Sequence, residues 1–475
     1  MYELVSPVNL IVVIKYLAKI MIGMGVVLLA PLIAALFYGE FFVALIFLMT
    51  ASFICGLGLV FNKFLPEEEL QWKEALVIAA LTFPFIALLS FFPLSVLSGM
   101  PFLDSFFEAV SGITTTGLSL APEDVDPVFL FSRSWLQWIG GIGILVIAVM
   151  IFVNPGTSAY RLYAINTSEK KLRPTVIATA RILFRVYLAL TLITFVLLMV
   201  AGMSPFDALC HSLSSVSTGG FSTNPDSLGG YQGFILPVLV IVGCIMGALN
   251  FSMYPGFLSG AKSVFKDIQL KYFVISGIAG IILLYITLYG VSGPENIYLI
   301  SFFEAFSALT TSGFTVVDVS SLGEGPKAIL TVLMWIGGSV GSTAGGIKII
   351  RLVILLKIIH IVFIRYFLPR EALTPLKIGD DVVECDMVYN ILTLVFLYFA
   401  VIIISAFIFM MHGFGLCDAV FEVSSALGTV GLSCGVTDAA MPDILKVVLI
   451  FDMLLGRIEI IPIFILFLPR TWIER

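Results

Sequence analysis

Four short stretches of this chain carry the residue types that could hold a dehydrated cation. They read Thr114-Thr115-Thr116-Gly117-Leu118-Ser119, Ser217-Thr218-Gly219-Gly220-Phe221-Ser222, Thr310-Thr311-Ser312-Gly313-Phe314-Thr315 and Gly428-Thr429-Val430-Gly431-Leu432-Ser433. Each places a Thr two residues before a Gly, then a Leu or Phe, then a Ser or Thr. A glycine permits backbone geometry closed to other residues, so successive carbonyls can face one axis. Four such strands around a centre make a ring of oxygens that replaces an ion's hydration shell. The expected ligands are the carbonyls of Thr115 to Leu118, Thr218 to Phe221, Thr311 to Phe314 and Thr429 to Leu432. The expected ion is a monovalent cation. One glycine per loop predicts a short filter with real but modest selectivity.

The match extends upstream. Six residues before each loop glycine stands a serine: Ser111, Ser214, Ser307 and Ser425. Nine before it stands Glu108, His211, Glu304 or Glu422, and thirteen before it Asp104, Asp207 or Asp418, with Ile300 as the exception. The glycines are 103, 93 and 118 residues apart, so one structural unit is repeated four times. Each unit reads as span, short helix, loop, span. A helix of about ten residues is too short to cross a bilayer and must be re-entrant. The three aspartates are expected as its N-caps, and its C-terminal end turns the negative half of the helix dipole toward the loop. Glu108, Glu304 and Glu422 are expected to be held by hydrogen bonds behind the loops and not to touch the ion. Conventional turns would need neither the helix nor the shared serine.

These units need a membrane to position them. The 475 residues are 60% hydrophobic and only 12% charged, about half the charged fraction of a soluble domain, and mean hydropathy is +1.11. Ten apolar segments stand out, near 10–37, 41–62, 74–98, 132–153, 182–203, 234–258, 270–291, 327–362, 387–412 and 443–468. The expected fold is all-α and membrane-spanning: ten transmembrane helices, four re-entrant helices and a pseudo-fourfold pore. The expected division is 1–69 (an N-terminal pair of spans, with no cleaved signal), then repeats 70–160, 161–262, 263–377 and 378–475. The eighth span is broken by the glycine-rich run 337–346, and non-helical backbone at membrane depth survives only inside protein or beside a wet cavity. Net charge is −6, which leaves no basic footprint for nucleic acid. Neither the six cysteines nor the three histidines are spaced for a metal centre or a disulfide framework.

Charge sorts the loops. Segments 98–130, 204–233, 292–326 and 413–442 hold fourteen Asp and Glu and no Lys or Arg. The bases fall between them, at Arg161, Lys170, Lys171, Arg173 and Arg181, at Lys262, Lys266 and Lys271, and at Lys348, Arg351, Lys357, Arg365, Arg370 and Lys377. The positive-inside rule puts these in the cytoplasm and the acidic mouths of the four loops outside, in a multi-pass plasma (inner) membrane protein.

These residues together resemble the superfamily of K⁺ transporters that includes TrkH, KtrB and the plant HKT proteins, over residues 70–470. The extra N-terminal pair of spans is similar to TrkH. The resemblance implies filter glycines at Gly117, Gly220, Gly313 and Gly431, and a glycine at the first of these implies K⁺ over Na⁺. It implies an intramembrane gate formed by Gly337, Gly338, Gly341, Ser342, Thr343, Gly345, Gly346 and Lys348, faced by Arg457. It also implies a homodimer with a cytoplasmic nucleotide-binding regulatory subunit of TrkA or KtrA type as a separate chain, and no organic cofactor in this one. From the residues alone, Arg457 either pairs with Asp452 or Glu459 or forms an electrostatic barrier. The glycines of 337–346 either gate or pack one helix on another. A Na⁺-permeable, Na⁺/K⁺-coupled or H⁺-coupled carrier on the same fold stands as the alternative. An intramembrane enzyme would need a catalytic pair, and His211 among its serines lies on a pore helix, so no enzyme is expected.

Overall fold

The computed structural model describes residues 7–68, 70–152, 176–258, 267–289, 296–369, 374–378 and 381–472. Arg161, Lys170, Lys171, Arg173, Lys262, Lys266 and Arg370 lie outside the described residues, as do the expected divisions after 69, 160 and 262. The described chain is almost wholly helical. Its strands are a two-residue antiparallel pair, β1 (Lys377–Ile378) and β2 (Asp381–Val382). Helices α1 (Leu10–Val27) and α2 (Leu29–Phe37) form the first span and pack along the second, α3 (Phe41–Phe64). Lys15 is buried in α1 because its Nζ donates to the carbonyls of Asn62 and Leu65, at 2.7 and 2.8 Å. These belong to the C-terminal end of α3, where a cation satisfies orphan carbonyls.

Four units of one design follow. The first is α4 (Trp72–Ser98), α5 (Phe102–Ile113) and α6 (Pro127–Phe152). The second is α7 (Val176–Val200), α8 (Pro205–Val216), α9 (Ile235–Ala248) and α10 (Tyr254–Leu258). The third is α11 (Ile268–Tyr289), α12 (Ile297–Thr310), α13 (Glu324–Ile336) and α14 (Ile349–Arg365). The fourth is α15 (Cys385–Met411), α16 (Leu416–Leu427), α17 (Asp443–Arg457) and α18 (Ile461–Phe467), followed by a last described turn, α19 (Pro469–Trp472). The short helices α5, α8, α12 and α16 have 12, 12, 14 and 12 residues. At 1.5 Å per residue each reaches only about 20 Å and cannot cross.

The inner helix of each unit packs on the short helix of the next: α6 on α8, α9 on α12, α13 on α16, and α17 back on α5. The units therefore close a ring. Three inner helices also come very near their own short helices. A Cβ on Gly140 would run into the Ile113 carbonyl, and Gly247 and Gly456 stand in the same relation to Val216 and Leu427. Outer helices turn large apolar side chains outward, among them Phe396, Ile403, Ile404 and Phe407 of α15, each more than 60% exposed. Water would penalise that face and lipid does not.

Two expectations need correction. The sequence predicts one broken span, yet among the described residues three inner helices are interrupted. Between α9 and α10 the Asn250 side chain accepts from Ser252 N, and Phe251 N donates to the Gly341 carbonyl. Between α17 and α18 Glu459 and Ile460 adopt φ of 65° and 55°. Neither break carries a glycine run like that of 337–346, which hid them. The expected aspartate N-caps are not caps. The caps are Pro101, Ser204 and Gly415, and Asp104, Asp207 and Asp418 are each the third helical residue. That position keeps them in the positive field of the first turn and frees the carboxylate to reach neighbours. Asp104 meets Lys446 at 2.6 Å and Asp418 meets Lys327 at 2.9 Å. Each lysine is the fourth residue of the preceding unit's inner helix in the ring, so the ion pairs tie unit to unit.

Candidate functional site

The four loops leave their short helices in one conformation. Thr115, Thr218, Thr311 and Thr429 have φ of 56°, 53°, 55° and 50°, and the glycines two residues on have 94°, 83°, 71° and 94°. A β-branched residue held at positive φ is strained by roughly 1–3 kcal/mol. The strain is repeated at four equivalent positions and held by equivalent bonds. Thr116, Gly219, Ser312 and Val430 donate their backbone N–H to the carbonyls of Ser111, Ser214, Ser307 and Ser425, at 2.7–3.0 Å. Alternation of left-handed residues with ordinary ones turns successive carbonyls to one side of the strand.

The strands also touch one another in a closed cycle. A Cβ on Gly117 would strike the Gly219 carbonyl oxygen, one on Gly220 that of Ser312, one on Gly313 that of Val430, and one on Gly431 that of Thr116. Each glycine abuts the carbonyl that precedes the glycine of the next unit, and the fourth contact returns to the first. No room is left for a side chain at that level. The backbone of residues 115–118 and of its three counterparts is thereby brought round one axis.

Behind the loops the residue nine before each glycine braces the strand that follows. Glu108 Oε1 accepts from Ser119 Oγ at 2.6 Å and from the amides of Leu120 and Ala121. Glu304 Oε1 accepts from Thr315 Oγ1 at 2.8 Å and from Val316 N. Glu422 accepts from Ser433 Oγ at 2.8 Å and from the amides of Cys434 and Thr437. His211 fills the same role differently. Its Nδ1 faces the Asp207 carbonyl at 2.8 Å and must donate there, which leaves Nε2 to accept from Ser222 Oγ at 3.0 Å. A neutral imidazole thus copies a carboxylate as acceptor for the same hydroxyl.

On one side of the ring lies a vestibule of about 640 Å³, lined by all four loop glycines and by Glu123, Asp226 and Asp318. Arg133 of α6, which the sequence reading missed, is buried in its wall. Its guanidinium donates to Ser119 Oγ at 3.1 Å and the Ser222 carbonyl at 3.0 Å, lies 4.6 Å from the Phe221 ring centre, and is 3.9 Å from Glu108. It joins the first loop to the second. The signal was a lone base near the start of an apolar run.

On the opposite side the residues between α13 and α14 close the ring. Gly345 N donates to Thr311 Oγ1 at 2.7 Å, and a Cβ on Gly345 would meet Thr429 Oγ1. Thr343 Oγ1 lies 3.3 Å from Thr218 Oγ1 and 3.0 Å from the carbonyls of Val216 and Gly247. Three of the four strained threonines therefore touch this segment. Gly337 and Gly346 come together at its neck, Gly338 lies on Ala248, and Ser342 Oγ donates to the Ser339 carbonyl. Gly341 is the acceptor for Phe251 N, and Lys348 Nζ donates to the Ala344 carbonyl. Arg457 sits under the segment, 2% exposed. It donates to the carbonyls of Thr343 at 2.7 Å and Gly140 at 3.1 Å. The acidic pairing open from sequence is excluded: Asp452 accepts from Ser405 Oγ, and Glu459 pairs with Arg351 at 2.6 Å. The break after α17 swings Glu459 toward α14 and leaves Arg457 facing inward.

The chain is similar to known transport proteins throughout. Residues 49–473 match the family model TrkH, described as cation transport protein. An uncharacterized cation transporter of Methanocaldococcus jannaschii is 31% identical, over 93% of this chain and 92% of that protein. The Trk system potassium uptake protein TrkG of Escherichia coli is 30% identical, over 94% of this chain and 95% of that one. The crystal structure of the potassium transporter TrkH from Vibrio parahaemolyticus superposes with a TM-score of 0.88 at 26% identity, covering 98% of this chain and all of that one.

Proposed function

This chain belongs to the TrkH family of cation transport proteins, and on that premise we propose that it takes up potassium through a pore formed within a single chain. The observation that carries the reading is the closed cycle of four loops, each glycine against the next unit's carbonyl. The ion sheds water onto the carbonyls of 115–118 and their counterparts, which replace its hydration shell. Four short helices aim their C-terminal ends at that centre and favour a cation before any ligand is counted. K⁺ is substrate here, and no organic cofactor is required of this chain. The acidic vestibule is the entry, facing outside the cell membrane, and the basic loops face the cytoplasm. The segment Gly337–Lys348 is the gate. It blocks the exit by bulk, and Arg457 adds positive charge at the same place. The repeat boundaries expected from sequence, a homodimer, and a separate cytoplasmic nucleotide-binding subunit belong to the same reading. Relatives named as parts of a Trk system support the separate subunit.

The test is rescue of a cell that lacks K⁺ uptake, at low external K⁺, with Rb⁺ and Na⁺ flux measured beside it. Growth with K⁺ and Rb⁺ entry and little Na⁺ entry is the expected outcome. Entry of Na⁺ equal to K⁺, or K⁺ entry only when Na⁺ is present, would replace this reading with the Na⁺-linked one.

A further inference from the structure

The four loops are not held alike. In the first, Ser111 Oγ accepts from Gly117 N at 3.0 Å and donates to the Leu118 carbonyl at 2.6 Å. In the third, Ser307 Oγ donates to the Phe314 carbonyl at 2.5 Å, and in the fourth Ser425 Oγ accepts from Gly431 N at 3.0 Å. The matching Ser214 of the second unit is buried and its hydroxyl has no partner. What braces that loop comes from another unit. Gln137 of α6, fully buried, accepts through Oε1 from Phe221 N at 3.1 Å and donates through Nε2 to the Gly219 carbonyl at 2.5 Å.

Gly219 explains why there is room. The residue before the loop glycine is Thr116, Ser312 or Val430 in the other units and glycine only here. A Cβ at Gly219 would overlap the Gln137 carboxamide, so the missing side chain and the intruding one are complementary. The oxygen that Gln137 contacts is the one a Cβ on Gly117 would strike, and so a member of the ring. Among the described hydrogen bonds, no donor reaches its counterparts on Thr116, Ser312 and Val430. An N–H shared with a carbonyl lowers the charge that oxygen offers an ion and fixes where it stands.

We propose that Gln137 is a selectivity-setting positioning residue, supplying from the first unit the side chain that the second loop lacks and holding one corner of the carbonyl ring. The proposal rests on the potassium reading and deepens it. Three variants test it in the purified full chain in liposomes, with K⁺ and Na⁺ flux measured in parallel and thermal unfolding as the folding control. Gln137→Ala should lower the K⁺/Na⁺ ratio about fivefold to tenfold, the net worth of roughly one buried hydrogen bond. Gly219→Ser alone should lower it too, because its side chain and Gln137 compete for one space. The pair Gln137→Ala with Gly219→Ser should recover most of the loss, since Gly219 has no positive φ and accepts a serine once the carboxamide is gone. An unchanged ratio in folded Gln137→Ala overturns the inference. So does a double variant no better than the worse single one, or K⁺ and Na⁺ flux falling in step at constant ratio. If Gln137→Ala does not fold, the other two variants decide. Wild-type liposomes that fail to pass K⁺ would instead overturn the potassium reading itself.

Discussion

At the scale of single residues the ring leaves almost no freedom. A serine at Gly117 must place its Cβ against the Gly219 carbonyl and adopt a φ of 94°. The corner can admit it only by moving outward. Gly117→Ser should therefore raise Na⁺ permeation relative to K⁺, read as a flux ratio in liposomes, and an unchanged ratio would remove Gly117 from the filter. As a proposed barrier, Arg457 should act on rate and not on preference. A unit charge about 6 Å from an ion costs roughly 3 kcal/mol at an effective dielectric of about 20. The Thr343 and Gly140 carbonyls that accept from Arg457 offset part of it. Arg457→Ala should raise K⁺ flux by up to about tenfold and leave the K⁺/Na⁺ ratio nearly intact. A fall in flux in the well-folded variant would make Arg457 a structural clasp and not a barrier.

At the scale of elements, the ion pairs at the short helices decide how firmly unit holds unit. Lys446 is 5% and Asp104 8% exposed, whereas Asp418 opposite Lys327 is 41% exposed. Breaking a buried pair by removing one partner costs about 3–5 kcal/mol, and an exposed one about 1 kcal/mol or less. Asp104→Asn should lower the unfolding temperature in detergent clearly more than Asp418→Asn, and equal shifts would refute the ranking. The four loops, their helices and the broken eighth span were legible in the sequence because repetition and glycine runs mark them. The aspartates were legible as helix-start residues but not as N3 partners of Lys327 and Lys446, since those contacts join residues 91 and 342 apart. The left-handed threonines could not be read either, because nothing in a Thr announces a positive φ. Gln137 and Arg133 stood in plain view as polar residues one helical turn apart in an apolar helix. Only the fold gives them a direction.

At the scale of the whole molecule, the vestibule gathers acids from three units at one mouth. Glu123, Asp226 and Asp318 are exposed there and make no ion pair among the described residues. They raise the local concentration of cations, an effect screened over about 10 Å at 0.1 M salt. Glu123→Gln with Asp226→Asn and Asp318→Asn should raise the apparent KM for K⁺ about threefold at low ionic strength and leave the maximal rate alone. The difference should vanish at high salt, and a KM shift that persists there would assign these residues to binding. The ring itself sets a timetable for biosynthesis. Its closing contact, α17 on α5, joins the last unit to the first, and Asp104 must wait for Lys446, 342 residues later. At about 5–20 residues per second a ribosome takes roughly 20 to 70 s to deliver that partner. Until the fourth loop is made the first has a neighbour on one side only, and a nascent chain stalled before residue 416 holds three of the four strands with no enclosed axis.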